Sequence, residues 1–111
     1  MTSPEAAVTV VLTTAPDAEV AEALATRVVD ERLAACANIV PGITSIYRWE
    51  GEVQRDAEVL VILKTTPAVS DALRERIIEL HPYDVPEVLA LAAPDGSMDY
   101  MRWVGEEVAA P

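Results

Sequence analysis

The chain contains no phenylalanine, and only one cysteine, one lysine and one histidine among its 111 residues: Cys36, Lys64 and His81. A single cysteine excludes an intrachain disulfide and a thiolate-rich zinc site. Glycine is also scarce, with four in the chain. That leaves no glycine-rich loop to cradle a phosphate, and no Ser/His/Asp set sits in a supporting motif, so no catalytic chemistry is expected. Basic residues number 8 against 19 acids, for a net charge of -11. Nucleic acid and anionic membrane surfaces both require a basic face, so neither is an expected partner. No apolar run is long enough to span a bilayer, and the acidic N-terminal segment does not read as a signal peptide. The resulting expectation is a cytoplasmic location. The hydrophobic fraction, 51%, is enough for one real core, so residues 1–111 are expected to form a single domain.

The chain repeats a pattern. Val10-Val11-Leu12-Thr13-Thr14-Ala15-Pro16 and Val61-Ile62-Leu63-Lys64-Thr65-Thr66-Pro67 each read as a strand ending in a Thr-bearing turn, with Pro where a helix begins. Thr14 and Asp17 have capping-box spacing. Val20, Leu24, Val28 and Val29 then form one helical face, predicting a helix from Pro16 to Ala34. Val69, Leu73, Ile77 and Leu80 form the second, which Pro82 stops at His81. Cys36 to Glu50 alternates as a long strand, and Glu50-Gly51 reads as a two-residue hairpin turn. Val88 to Leu91 is the last strand, and a final helix runs from Ser97 to Val108. The order β-α-β-β-α-β predicts an α+β, ferredoxin-like sandwich with a C-terminal helix.

Two features predict an oligomer. Helices cover only one face of such a sheet, yet Val59 to Leu63 and Val88 to Ala92 are apolar on both faces. A bare apolar sheet of that size is an interaction surface. Cys36 to Glu50 would also span roughly 50 Å, against roughly 35 Å for a compact domain of this length. Pro41-Gly42 is the expected bulge. The tip, with Tyr47, Trp49 and Gly51, is expected to project and pair with another subunit.

The singletons each read in two ways. Cys36 is a soft metal ligand or a small apolar residue at a strand start. His81 is an imidazole ligand or a side chain that bonds the last carbonyls of its helix. Lys64, beside an expected helix N-terminus, is an anion-binding group, or a side chain at the sheet edge paired with Glu58 or Glu87. Tyr47 and Trp49 line a cleft between subunits or anchor an interface. Glu50, Glu52, Asp56 and Glu58 form a solvated strand face or a weak, oxygen-rich metal site.

Four segments together resemble one family. Leu33-Ala34-Ala35-Cys36-Ala37-Asn38-Ile39-Val40-Pro41-Gly42, Ser45-Ile46-Tyr47-Arg48-Trp49-Glu50-Gly51, Ile62-Leu63-Lys64-Thr65-Thr66 and His81-Pro82-Tyr83-Asp84-Val85-Pro86-Glu87 are similar, in order and spacing, to the CutA divalent-cation tolerance family. The resemblance implies a ferredoxin-like subunit in a stable, PII-like homotrimer of the cytoplasm. It further implies a role in tolerance to copper and other divalent metals. On that basis Cys36, His81 and Glu58 are the expected ligands for weakly bound copper or another divalent cation. Lys64, Tyr83, Tyr47 and Trp49 are expected to line inter-subunit clefts. The alternative is a PII-like signalling module that binds a small anionic ligand there. One departure stands out: Leu12-Thr13-Thr14-Ala15-Pro16 has Thr where relatives can carry Cys, which weakens a Cu(I)-thiolate site within one subunit.

Overall fold

The computed structural model describes residues 7–109. The N-terminal segment read for a signal peptide, residues 1–6, lies outside them. The elements are β1 (Val8–Ala15), α1 (Ala18–Asp30), β2 (Cys36–Trp49), β3 (Glu52–Thr65), α2 (Ser70–Leu80), β4 (Leu89–Ala93) and α3 (Met98–Glu107). They form one antiparallel sheet in the order β2-β3-β1-β4. This is the expected ferredoxin-like arrangement.

The helix starts depart from expectation. Thr14 does not cap α1, because β1 continues in register through Ala15, opposite Val59. Asp17 is the cap, its Oδ1 accepting from the Val20 N–H at 2.8 Å. The helix stops at Asp30, ahead of the expected Ala34, and Arg32 takes a left-handed φ of 61°. Pro67 lies in a turn, and α2 begins at Ser70 with no side-chain cap. The Thr65 hydroxyl is used elsewhere, donating to the Leu33 carbonyl at 2.8 Å.

α1 and α2 cover one sheet face. Val11, Ala15, Val61 and Leu63 from the strands pack with Leu24, Val28, Leu73 and Ile77 from the helices, all buried. Arg76 of α2 reaches Glu31, just after α1, with Nε–Oε1 at 2.8 Å, and Arg27 adds a second contact at 2.7 Å. These guanidinium groups, Arg76 foremost, lower the Glu31 pKa from 4.5 to about 2. The unfolded chain takes up this proton first. The link therefore contributes fully above about pH 5, and its contribution is lost as pH falls toward about 2. Glu31→Gln is expected to flatten that part of the acid limb in urea unfolding. An unchanged limb would remove the link from the account of acid sensitivity.

The opposite face is covered at one end by α3, where Val8, Met101 and Val104 form a small second core. The terminal carbonyls of a helix lack partners inside it. Arg32 supplies them here: its guanidinium donates to the carbonyls of Glu106 and Glu107, each at 2.9 Å. The remainder of this face is bare. Leu12 and Ile62 are half-buried, while Leu89 and Leu91 are 55% and 51% exposed and pair in register with Leu12 and Val10. The sequence expectation of a sheet apolar on both faces holds, with α3 accounting for part of the second face.

β2 and β3 outrun the sheet as a two-stranded ribbon, and the molecule measures 50 × 24 × 22 Å. The expected bulge lies between Val40 and Ile43, with Gly42 at φ 78°. Glu50 and Gly51 both adopt positive φ, 50° and 82°. A type I′ hairpin turn needs that at both central positions. No helix among the described residues is long and apolar enough to cross a membrane.

Candidate functional site: the cleft at the ribbon base

β1 ends opposite Val59, so β3 residues from Glu58 outward pair with β2 alone. The segment after α2 turns into the space this leaves. The result is a cleft of about 680 Å³, walled by Tyr47, Trp49 and Glu58 from the ribbon and by Tyr83, Asp84 and Glu87 from the loop.

His81 positions that loop. Pro82 favours extended backbone at the preceding residue, and His81 has ψ 138° as the C-cap of α2. Its buried ring has Nε2 2.7 Å from the Thr14 carbonyl oxygen, and its Nδ1 accepts from the Tyr83 N–H at 3.1 Å. The carbonyl can only accept, so the proton sits on Nε2. The ring lies 4.7 Å from that of Tyr83, tilted by 49°. Tyr83 in turn donates its hydroxyl to Glu58 Oε2 at 2.7 Å. Burial, then Glu58, raises the Tyr83 pKa. Across the cleft the Tyr47 hydroxyl donates to Asp56, whose carboxylate likewise raises the Tyr47 pKa. Both phenols are thus held protonated as donors, and their rings are fixed.

The expected site residues divide into two groups. Glu58, His81, Tyr83, Tyr47 and Trp49 gather at the cleft. Cys36 and Lys64 lie opposite one another at the far end of the β2–β3 ladder. There the Lys64 ammonium donates to Asn38 Oδ1 and stands 3.9 Å from Cys36 Sγ. Tyr100 of α3 completes this group, its pKa raised by burial and then by Cys36. Glu58 and Lys64 are six residues apart on β3, about 20 Å at strand rise.

This separation bears on the expected metal ligands. Cys36, Glu58 and His81 do not converge on one coordination sphere within the chain. Among the described residues, no group of three or more His, Cys, Asp or Glu could hold a metal ion. Both ring nitrogens of His81 are engaged, so it acts as a structural pin, and the carbonyl-bonding reading of this residue fits, through Thr14 in place of the helix end. Lys64 is not at a helix N-terminus, since α2 begins at Ser70, and its partner is Asn38 in place of the Glu58 or Glu87 considered from sequence. Asn38 and Tyr100 carried no signal as site residues. Asp56 did: it lies two residues from Glu58, on the same side of the strand.

These features define the class of protein: a ferredoxin-like α+β subunit with a projecting ribbon and a cleft of aromatic and acidic residues at the ribbon base. The family of the CutA1 divalent ion tolerance protein matches residues 9–107, and the chain belongs to it. The divalent-cation tolerance protein CutA of Thermus thermophilus is 54% identical over 97 residues, covering 87% of this chain and 94% of that protein. An Escherichia coli protein of the same name is 48% identical over 95 residues, covering 86% and 85%. Among solved structures, CutA1 from Oryza sativa superposes with a TM-score of 0.92 at 46% identity, covering 96% of this chain and 98% of that one. The Thermus thermophilus structure gives 0.89 at 51% identity, covering 92% and 99%.

Proposed function

We propose that the chain is a cytoplasmic, non-enzymatic homotrimer that acts in tolerance of divalent cations. The family match over residues 9–107 carries this reading. The bare apolar sheet face supports the assembly, since Leu89, Leu91 and Ile62 need cover that one chain does not supply. The projecting ribbon supports it too, because a long two-stranded hairpin is marginal without something to pack against.

Cation binding in this reading is weak. A thiolate suits Cu(I), but the sole thiol has an ammonium beside it, which opposes a second cation. Glu58, the expected ligand that does face the cleft, is a hard oxygen donor, and a single carboxylate of that kind holds a divalent ion only exchangeably. The alternative is a PII-like module that binds a small anionic ligand in inter-subunit clefts through Lys64, which within the chain is bonded to Asn38.

Native mass spectrometry of untagged protein, with and without EDTA, tests the proposal. Three chains with a divalent cation that EDTA strips are the expected species. A monomer would overturn the assembly. A trimer that takes up no copper, zinc or magnesium ion at millimolar concentration would overturn direct cation binding.

A further inference from the structure

We propose that the cleft at the ribbon base is a receptor for a small organic ammonium ion, a ligand distinct from a bare metal. The lining combines two chemistries that share one kind of partner. Tyr47, Trp49 and Tyr83 are aromatic, and Glu58, Asp84 and Glu87 are acids; no Lys, Arg or His lines the cleft. Carboxylates attract any cation. Aromatic rings add little for a strongly hydrated metal ion, but they attract a weakly hydrated ammonium group through the negative face of the ring.

The cleft is built for this rather than merely acidic. Its volume of about 680 Å³ falls in the range of small-molecule pockets. Two of its aromatic walls are immobilised by their own hydroxyls, Tyr83 on Glu58 and Tyr47 on Asp56, and the His81 ring backs Tyr83. Fixed rings lose less entropy when a ligand arrives. Charge is sorted across the ribbon as well. Tyr47 and Trp49 alternate with Arg48, and their register partners Gln54 and Glu52 alternate with Val53 and Arg55. Asp56 and Glu58 are therefore on the aromatic side, while Arg48 and Arg55 are on the other. Arg48 is turned to the Gly51 carbonyl, 3.3 Å away. The His81 ring, behind Tyr83, is committed to Thr14 and the Tyr83 N–H.

Calorimetric titration of the full-length protein in EDTA, with choline and with putrescine as probes, tests the inference. EDTA removes metal ions, so failure here and failure of the divalent-cation reading are read separately; the mass measured by light scattering on the same sample reports the assembly. Saturable binding of at least one probe is expected. For choline, the neutral isostere 3,3-dimethylbutan-1-ol is expected to bind at least about tenfold more weakly. Glu58→Gln is expected to weaken the ammonium probe by about tenfold or more. Trp49→Leu is expected to weaken it as well, and the mass measured on the same sample separates loss of the ring from loss of assembly. Absence of binding by both probes would overturn the inference, as would equal affinity for the neutral isostere. Binding of AMP in their place would assign the cleft to anions and overturn it too.

Discussion

Replacing Ile62 by aspartate is expected to dissociate the proposed homotrimer into folded monomers. Ile62 lies near the middle of the bare sheet face, between Leu12 on β1 and Asn38 on β2. It points away from the core under α1 and α2, whose β3 members are Val59, Val61 and Leu63. Pressing an aspartate there against an apolar partner surface would remove its hydration, and the one cation near it on that face, Lys64, is already bonded to Asn38, so the cost is several kcal/mol. A monomer leaves the carboxylate in water and avoids that cost. Light scattering at micromolar concentration should report one chain in place of three, and far-UV circular dichroism should stay native. An unchanged mass would mean that the face is covered by something other than a copy of this chain.

Leu63→Ala is expected to act on the opposite face and on folding itself. Leu63 is fully buried in β3, opposite Val11 on β1 and Ala37 on β2, beneath the helix layer. Truncating a buried leucine costs about 2–5 kcal/mol, because the lost transfer energy adds to that of the cavity. Total stability of a domain is about 5–15 kcal/mol, so a large share is at stake. Urea unfolding at one fixed protein concentration measures it, since assembly makes stability concentration-dependent. A loss below about 1 kcal/mol would show that α1 and α2 collapse into the space. The two variants separate the two faces: the first changes mass and leaves the subunit fold, while the second lowers the subunit's own stability.

Leu63 and Ile62 are neighbours in sequence, and their opposite roles were legible there. Strand alternation and a run apolar at every position require both sides of β3 to be covered. The order of elements was legible for a similar reason: Leu24 and Val28, or Leu73 and Ile77, recur at helical spacing whatever surrounds them. The helix starts were less so. Thr14, in capping-box spacing with Asp17, was the expected cap, and the ladder pairing of β1 and the Thr65–Leu33 bond decided where the helices begin.

The cleft was only half legible. Tyr47, Trp49, Glu58, His81 and Tyr83 stood out as residues, and the structure brings them together. Cys36 and Lys64 stood out equally, and the structure sets them apart. The sequence by itself determined the element order, the doubly apolar sheet, the bulge and the hairpin tip, because each follows from local periodicity or from the backbone freedom of a few residues. Only the tertiary structure decided which rare side chains meet. That depends on strand register and on where β1 stops, and a ladder that places Cys36 opposite Lys64 must carry Glu58 about 20 Å away.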